Sequence, residues 1–446
     1  MRAFPEHERK IERVVSQLRR HDGSRPVSLR KRAVSHVVPK RNDRRRTDDK
    51  IDISDLDDIL EIDVDRRTCT AEPGVTFVDL VAATLRHGLL PIVVPELKTI
   101  TIGGAVSGCS LESMSFVRGG FHDTCLEYEV ITATGEVLRC TPHNENQLVF
   151  QMIHGSFGTL GVLSKLTFEL VPAKKFVHVT YHRHERLDDY QREIRDHVDR
   201  RDVDFMDGII HSPTCHALSL GEFEDRAPYT HRYDWTKVYY RTTATRTEDW
   251  LRTQDYLFRY DNGVTNPTPK SALARLLFGK FLHSAHLLRI AEKLPALLSD
   301  DHPTMTLDVF VPFSRMAEFL EWHTRTIGYF PLWCVPYKLV RRYEWASDEF
   351  WAGVDDDLFV DLAIYGMPQP NGRNVYKEIE DELQRVNGLK TLISYNYYDE
   401  ETFWRTWSKP RYLEVKRRTD PNNVFRDVYS KTCRAARGLD DVKLAG

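Results

Sequence analysis

Between Pro95 and Gly120 the chain reads PELKTITIGGAVSGCSLESMSFVRGG, a β-branched run followed by small residues and two glycine pairs. Residues without a Cβ let a flat or anionic group come up against the backbone, and positive φ at Gly103 and Gly104 would turn their N–H groups outward. Ser107 and Ser113 add hydroxyls beside them. A diphosphate fits such a stretch. The spacing of Gly103, Gly104 and Gly108 is not the G-x-G-x-x-G dinucleotide pattern, and no Walker lysine follows a glycine. For the motif alone, a tight turn between strands is the competing reading. A second glycine-rich turn, HGSFGTLG from His154 to Gly161, leads into an apolar alternating run. The hairpin pattern CLEYEVITATGEVLRC, turned at Thr134-Gly135, separates the two, so both backbone segments are able to enclose one long ligand.

The elements around these turns read as mixed α and β. A basic helix with Ile11, Val14, Val15 and Leu18 on one face opens the chain, followed by VSLRKRAVSH, where Arg30 and Lys31 are able to face a phosphate. Ile51 to Val64 reads as two strands and a turn. Phe77, Leu80, Val81 and Leu85 then mark a helix ended at Gly88. From Val177 onward the chain turns to charged strands (VDFMDGIIHS, TKVYYRTT, TMTLDVFVPF) and helices such as MAEFLEWHTRTIG, the pattern of a second, substrate-binding domain. The boundaries expected are 1–172 for the first domain, 173–391 for this cap domain and 392–446 for a segment returning to the first. An amphipathic insert, 271–298, has two readings: packing over the cleft, or lying on a membrane surface so that a lipid enters.

With 446 residues, 41% of them hydrophobic, the chain has enough apolar material for two or three cores. A net charge of −3, with both signs dispersed, gives no field for nucleic acid. Seven cysteines without metal-ligand spacing fit free thiols in a reducing cytoplasm, with neither disulfides nor a metal site. No apolar run is long enough to span a bilayer, so the expectation is a cytoplasmic protein, at most peripheral at a membrane. Composition leaves the oligomeric state open.

The order TIGGAVSG, the later Gly pair, TATGEVLRCTP and HGSFGTLGVLSKL resembles the FAD-binding (PCMH-type) domain of the vanillyl-alcohol oxidase and p-cresol methylhydroxylase superfamily. The resemblance extends through VSLR, PLWCVPYKL, VDLAIYG, DEETFW and VYSKTCRAAR, and is nearest to the delta-24 sterol reductases and the bacterial reductases of methylene-branched fatty acyl chains. It implies an α+β, two-subdomain FAD-binding domain with an α+β cap domain. It implies FAD contacts at Thr99, Thr101, Gly103, Gly104, Ser107, Gly108, Glu112 and Ser113, and along a second loop at Gly155, Ser156, Gly158, Thr159, Gly161 and Val162. Where superfamily members carry a glycine loop on the diphosphate this chain has none, and Arg30 or Lys31 is read as its substitute.

His122, Cys125, His154 and Cys109 are the candidates for the covalent flavin link common in the superfamily, while the lipid-reducing members imply non-covalent FAD. Tyr395, Asn396 and Tyr397 lie where the ring system is addressed, and a Tyr is able to protonate an alkene while a hydride reaches the other carbon. The expected function is therefore reduction of a lipid carbon-carbon double bond with electrons from NADPH or NADH. Arginine outnumbering lysine, with no membrane anchor, puts a methylene-branched fatty acyl chain ahead of a sterol side chain. Two alternatives stay open: a flavin-dependent alcohol oxidase or dehydrogenase, and a flavin-free binding protein with a degenerate site.

Overall fold

The computed structural model describes residues 3–33, 35–234, 237–261 and 305–442; the insert 271–298 and the two readings attached to it lie outside them. Two short parallel strands, β1 (Val27–Arg30) and β2 (Asp49–Asp52), pack under the opening helix Ala3–Arg20, which buries Val14 and Leu18 as its periodicity predicts. An antiparallel sheet follows, built from β3 (Ile59–Asp63), β4 (Thr68–Ala71), β5 (Leu89–Pro91), β6 (Cys125–Ile131), β7 (Val137–Cys140) and β8 (Val162–Pro172). Its order is β3-β4-β8-β6-β7, with β5 pairing on β8. β6 and β7 form the expected hairpin, with Gly135 at φ 79° in the turn. The helix Phe77–Thr84 is capped by Thr76 and buries Phe77, Leu80 and Val81 against this sheet.

The second sheet has eight strands among the described residues: β9 (Phe176–His184), β10 (Phe205–Ser212), β11 (Cys215–Glu224), β12 (Glu248–Arg252), β13 (Met305–Pro312), β14 (Leu332–Lys338), β15 (Leu358–Met367) and β16 (Leu389–Lys390). They run in the order β12-β9-β11-β10-β14-β15-β13-β16. Alternation along these strands gives the sheet two unlike faces. Met206, Ile210, Leu307, Val309, Cys334, Val360 and Leu362 pack with the helices Leu187–Arg200, Met316–Thr326 and Val375–Arg385. The opposite face, carrying Trp333, Val335, Tyr337, Phe359, Ala363 and Tyr365, shares one core with the first domain. The architecture is α+β, with a flat seam between two sheet-based halves.

Three local expectations are corrected. TKVYYRTT contains a helical turn, Tyr239–Thr242, because Tyr239 and Tyr240 are buried and Tyr239 packs edge-on to Tyr233 and Tyr260. Leu392 and Ile393 follow the two-residue strand β16 and lie in a turn. Gly103 and Gly104 do not take positive φ; both are helical.

Candidate active site

Residues Ile102–Ser107 form a short helix capped by Thr101, whose Oγ1 accepts from the Gly104 N–H at 3.3 Å. Gly103 is required by a close approach: a Cβ there would lie 2.5 Å from Pro73 Cβ. A Cβ on Gly104 would meet only the Thr101 hydroxyl, at 3.1 Å, and one on Gly108 only the Gly104 carbonyl, at 3.1 Å. The second segment runs against the end of this helix. Gly155 N–H donates to Val106 O at 3.4 Å and Phe157 N–H to Ser107 O at 3.1 Å, so the two glycine-rich stretches predicted separately form one surface. Gly158, at φ +66°, supplies a left-handed turn there, and its vacant Cβ position is 4.0 Å from Lys431 Nζ. Gly161 turns the chain into β8, which opens at Val162.

Around this surface lie buried polar atoms that make no hydrogen bond: Ser156 Oγ, His154 Nδ1, His36 Nδ1 and both ring nitrogens of His122. His36 holds Thr99 Oγ1 through Nε2 at 3.0 Å, and burial pushes its pKa down to about 4. His154 accepts or donates at Tyr128 OH, 3.0 Å away, and packs against His122 with ring centroids 4.9 Å apart and the planes tilted by 52°. Orphaned polar atoms of this kind cost free energy unless a partner arrives. Two lysines add to the deficit. Lys40 is buried and Lys431 half-buried, and among the described residues neither has a carboxylate within ion-pair distance; desolvation lowers both pKa values to about 7. Lys431 Nζ donates to Phe157 O at 2.7 Å, on the second glycine segment. Lys40 sits 5.0 Å above the Tyr395 ring.

Other predicted residues are placed differently. The Arg30 side chain is 64% exposed and pairs with Asp52 of the neighbouring strand, which draws its charge away from the seam; Lys31 is half-buried just beyond β1. Glu112 and Ser113 turn away from any ligand: the Glu112 carboxylate accepts from the Ser113 N–H and hydroxyl and pairs with Arg259 at 2.9 Å. Arg259 also reaches Asp207 of β10 at 3.0 Å and lies on the ring of Tyr256 at 4.0 Å, so this buried ion triad bolts the two halves together. Thr159 is tied down by Tyr412 OH at 2.9 Å and by Lys416 Nζ on its carbonyl at 2.9 Å. Asn396 spends its amide on Leu392 O and Thr432 O, and Tyr397 lies under Arg437 at 4.2 Å. Tyr395 and Tyr397 pack around Tyr376 of the helix Val375–Arg385, in the core on the helix face of the second sheet and not on the seam, with Lys40 beside Tyr395; Asn396 has a structural role.

Sequence reasoning missed the groups opposite. Asp123, three residues past the Gly119-Gly120 pair, has a fully buried side chain that receives Tyr343 OH at 2.7 Å and Tyr337 OH at 3.4 Å and pairs with the Arg341 guanidinium at 2.9 Å. Asp207, Asp308 and Asp361 stand on the seam face of β10, β13 and β15, and Glu96 approaches from the first domain. Their signal was present as single acids within otherwise apolar strands, VDLAIYG and TLDVFVP.

The arrangement fits a long ligand with an anionic middle and a flat end: orphaned donors and acceptors and vacant Cβ positions lie beside two lysines whose partners are backbone carbonyls, Val38 O and Phe157 O. Residues 1–141 match the family described as "FAD binding domain". The chain carries a PCMH-type FAD-binding domain. Over 455 aligned residues, covering 97% of this chain and 87% of the relative, it is 26% identical to a Delta(24)-sterol reductase from Homo sapiens. The Delta(24)-sterol reductase of Arabidopsis thaliana is 23% identical over 492 residues, 99% of this chain and 87% of the relative. Cytokinin dehydrogenase 10 of Oryza sativa subsp. japonica matches a shorter stretch, 118 residues at 30% identity, or 26% of this chain and 21% of that protein. Gly104, Ser107, His36 and Lys40 lie within the matched residues 1–141, whereas Gly155, Ser156, Gly158, His154 and Lys431 lie beyond them. No described helix is long and apolar enough to cross a membrane.

Proposed function

We propose that the chain is an FAD-dependent reductase of a lipid carbon-carbon double bond, with NADPH or NADH as electron source. The observation that carries this reading is the extent of the likeness to sterol reductases, 97% of the chain, which takes in the seam face of the second sheet as well as the FAD domain. When bound, FAD supplies the hydride equivalent that such a reduction needs.

The protein's own part is positioning, exclusion of water and proton supply. Trp333, Val335, Tyr337, Phe359 and Tyr365 are buried on the seam, so an alkene held there is shielded from solvent. Aromatic faces also stabilise a carbocation, which suits protonation of a branched alkene to a tertiary cation. The methylene-branched fatty acyl chain stays the first reading of the substrate on the arginine-rich composition; the sterol side chain is the second, favoured by the names of the relatives. FAD is held without a covalent bond: Cys109 and Cys125 are thiols whose pKa burial raises, leaving little thiolate.

Anaerobic turnover with NADPH or NADH and each lipid, read by mass analysis, tests the reading. A gain of two hydrogens by one lipid supports it. Turnover of an alcohol that requires oxygen or an added acceptor would replace it with the oxidase reading, and a colourless protein that takes up no FAD would leave the binding-protein reading.

A further inference from the structure

We propose that Asp361, on the seam face of β15, is the acid that protonates the substrate double bond, and that Asp308 and Tyr365 return its proton from solvent. This rests on the reductase reading above.

Asp361 is 3% exposed, and its Oδ1 has no hydrogen-bond partner. The sheet register shows why. Across the strands it faces Val335 on β14 and Phe310 on β13, and its neighbours on the same face of β15 are Phe359 and Ala363. An acid framed by apolar side chains gains nothing structurally from being an acid, and its solvation is forfeited. The face it stands on meets the first domain, where Tyr337, two residues along from Val335 on β14, contacts Asp123.

Asp308 is paired with Ala363, which puts it diagonal to both Asp361 and Tyr365 on one face, and the long Tyr365 side chain spans that diagonal. Tyr365 OH donates to the Asp308 carboxylate, and Thr391 OH lies 3.4 Å from its other oxygen. The charged and titratable groups facing Asp361 are acids, Asp308 from β13 and Glu96 from the first domain, and both oppose its ionisation. Arg259 acts on Glu96, and Lys390 belongs to the helix side of the sheet, paired with Glu380 at 2.6 Å. Burial, with the charges of Asp308 and Glu96 added, holds Asp361 well above the usual carboxylate range; burial, with Asp308 and Glu112 added, puts Glu96 at about 8, and burial puts Asp308 at about 6 against the hydroxyl donors of Tyr365 and Thr391. Asp361 is therefore biased toward the neutral carboxylic acid, the form able to give a proton in a dry apolar site.

The step balances as follows. The π electron pair of the alkene takes the Asp361 proton, forming a C–H bond at the less substituted carbon and leaving a tertiary cation beside the new carboxylate. The cation accepts the hydride assigned above to the cofactor, whose two electrons come from a dihydronicotinamide. The Asp361 carboxylate regains its proton through Asp308 and Tyr365. Net, one alkene, one dihydronicotinamide and one proton give one saturated chain and one oxidised nicotinamide. This moves the acid from Tyr395 and Tyr397 to the second sheet.

The test uses the FAD-loaded full chain and the Asp361→Asn and Asp361→Glu variants in anaerobic stopped-flow, following flavin reduction by NADPH and reoxidation by methylene-branched acyl lipid or sterol. Asp361→Asn is expected to leave reduction unchanged and to slow reoxidation roughly 10²–10⁴-fold, with partial recovery in Asp361→Glu. In parallel, infrared spectra at neutral pH are expected to show a neutral-carboxyl band in the wild type that weakens in Asp361→Asn. Wild-type reoxidation in Asp361→Asn, or no change in the carboxyl band, overturns the assignment while leaving the reductase reading standing. A wild-type protein that neither lipid reoxidises removes both.

Discussion

The Phe157 N–H donates to the Ser107 carbonyl at 3.1 Å, and with the bond from Gly155 N–H to Val106 O this makes the two glycine-rich segments a single surface. It also separates two glycines that look alike in sequence. Gly103 packs on Pro73, whereas Gly104 has only the Thr101 hydroxyl in the way of a Cβ. Gly103→Ala is expected to lose on the order of 1–3 kcal/mol of stability by overpacking. Gly104→Ala should keep the wild-type melting temperature and lose FAD retention. Melting curves with flavin occupancy measured on the same samples check both, and full occupancy in Gly104→Ala would take that residue out of the cofactor surface.

The lysines predict a pH dependence. Burial lowers Lys40 and Lys431 to about 7, so above that pH the FAD-free protein holds them neutral. An arriving diphosphate favours the ammonium form and raises their pKa, so binding takes up protons between pH 7 and the raised value. FAD affinity is then expected to fall as pH rises through that window. Calorimetry at about pH 8 in two buffers of different ionisation enthalpy reads the uptake directly, and Lys431→Met should reduce it by up to one proton per FAD.

The ion triad Glu112–Arg259–Asp207 is expected to be a strong structural joint. Arg259 is fully buried, and removing it would strand two carboxylates between the halves. Arg259→Met should destabilise the fold by about 3–5 kcal/mol, with part of that loss restored by adding Glu112→Gln. Denaturant unfolding of the single and double variants measures this; strict additivity would mean that the pair is not coupled.

How far the sequence revealed this molecule depended on whether the signal was local. The hairpin Cys125–Cys140, the helix at Phe77 and the glycine-rich segments were legible because alternation, 3.6-residue periodicity and missing side chains are written into consecutive residues. That Gly103 and Gly104 are helical was not, since glycine permits both conformations and Pro73 decides between them. The site's acidic half was hidden for a different reason. Asp308 and Asp361 become neighbours through a register between strands fifty residues apart, and no short-range pattern encodes that pairing. Lys431 was quoted within a family motif, yet its burial against Phe157 appears only in three dimensions.

The most direct test of the account is a single anaerobic reoxidation. FAD-loaded protein reduced with one equivalent of NADPH is mixed with methylene-branched acyl lipid or delta-24 sterol, and the flavin's visible absorbance is followed as the lipid is recovered for mass analysis. The account predicts that the oxidised flavin spectrum returns in the absence of oxygen and that one lipid gains two hydrogens per flavin. A flavin that stays reduced with both lipids and is reoxidised only by oxygen would contradict it.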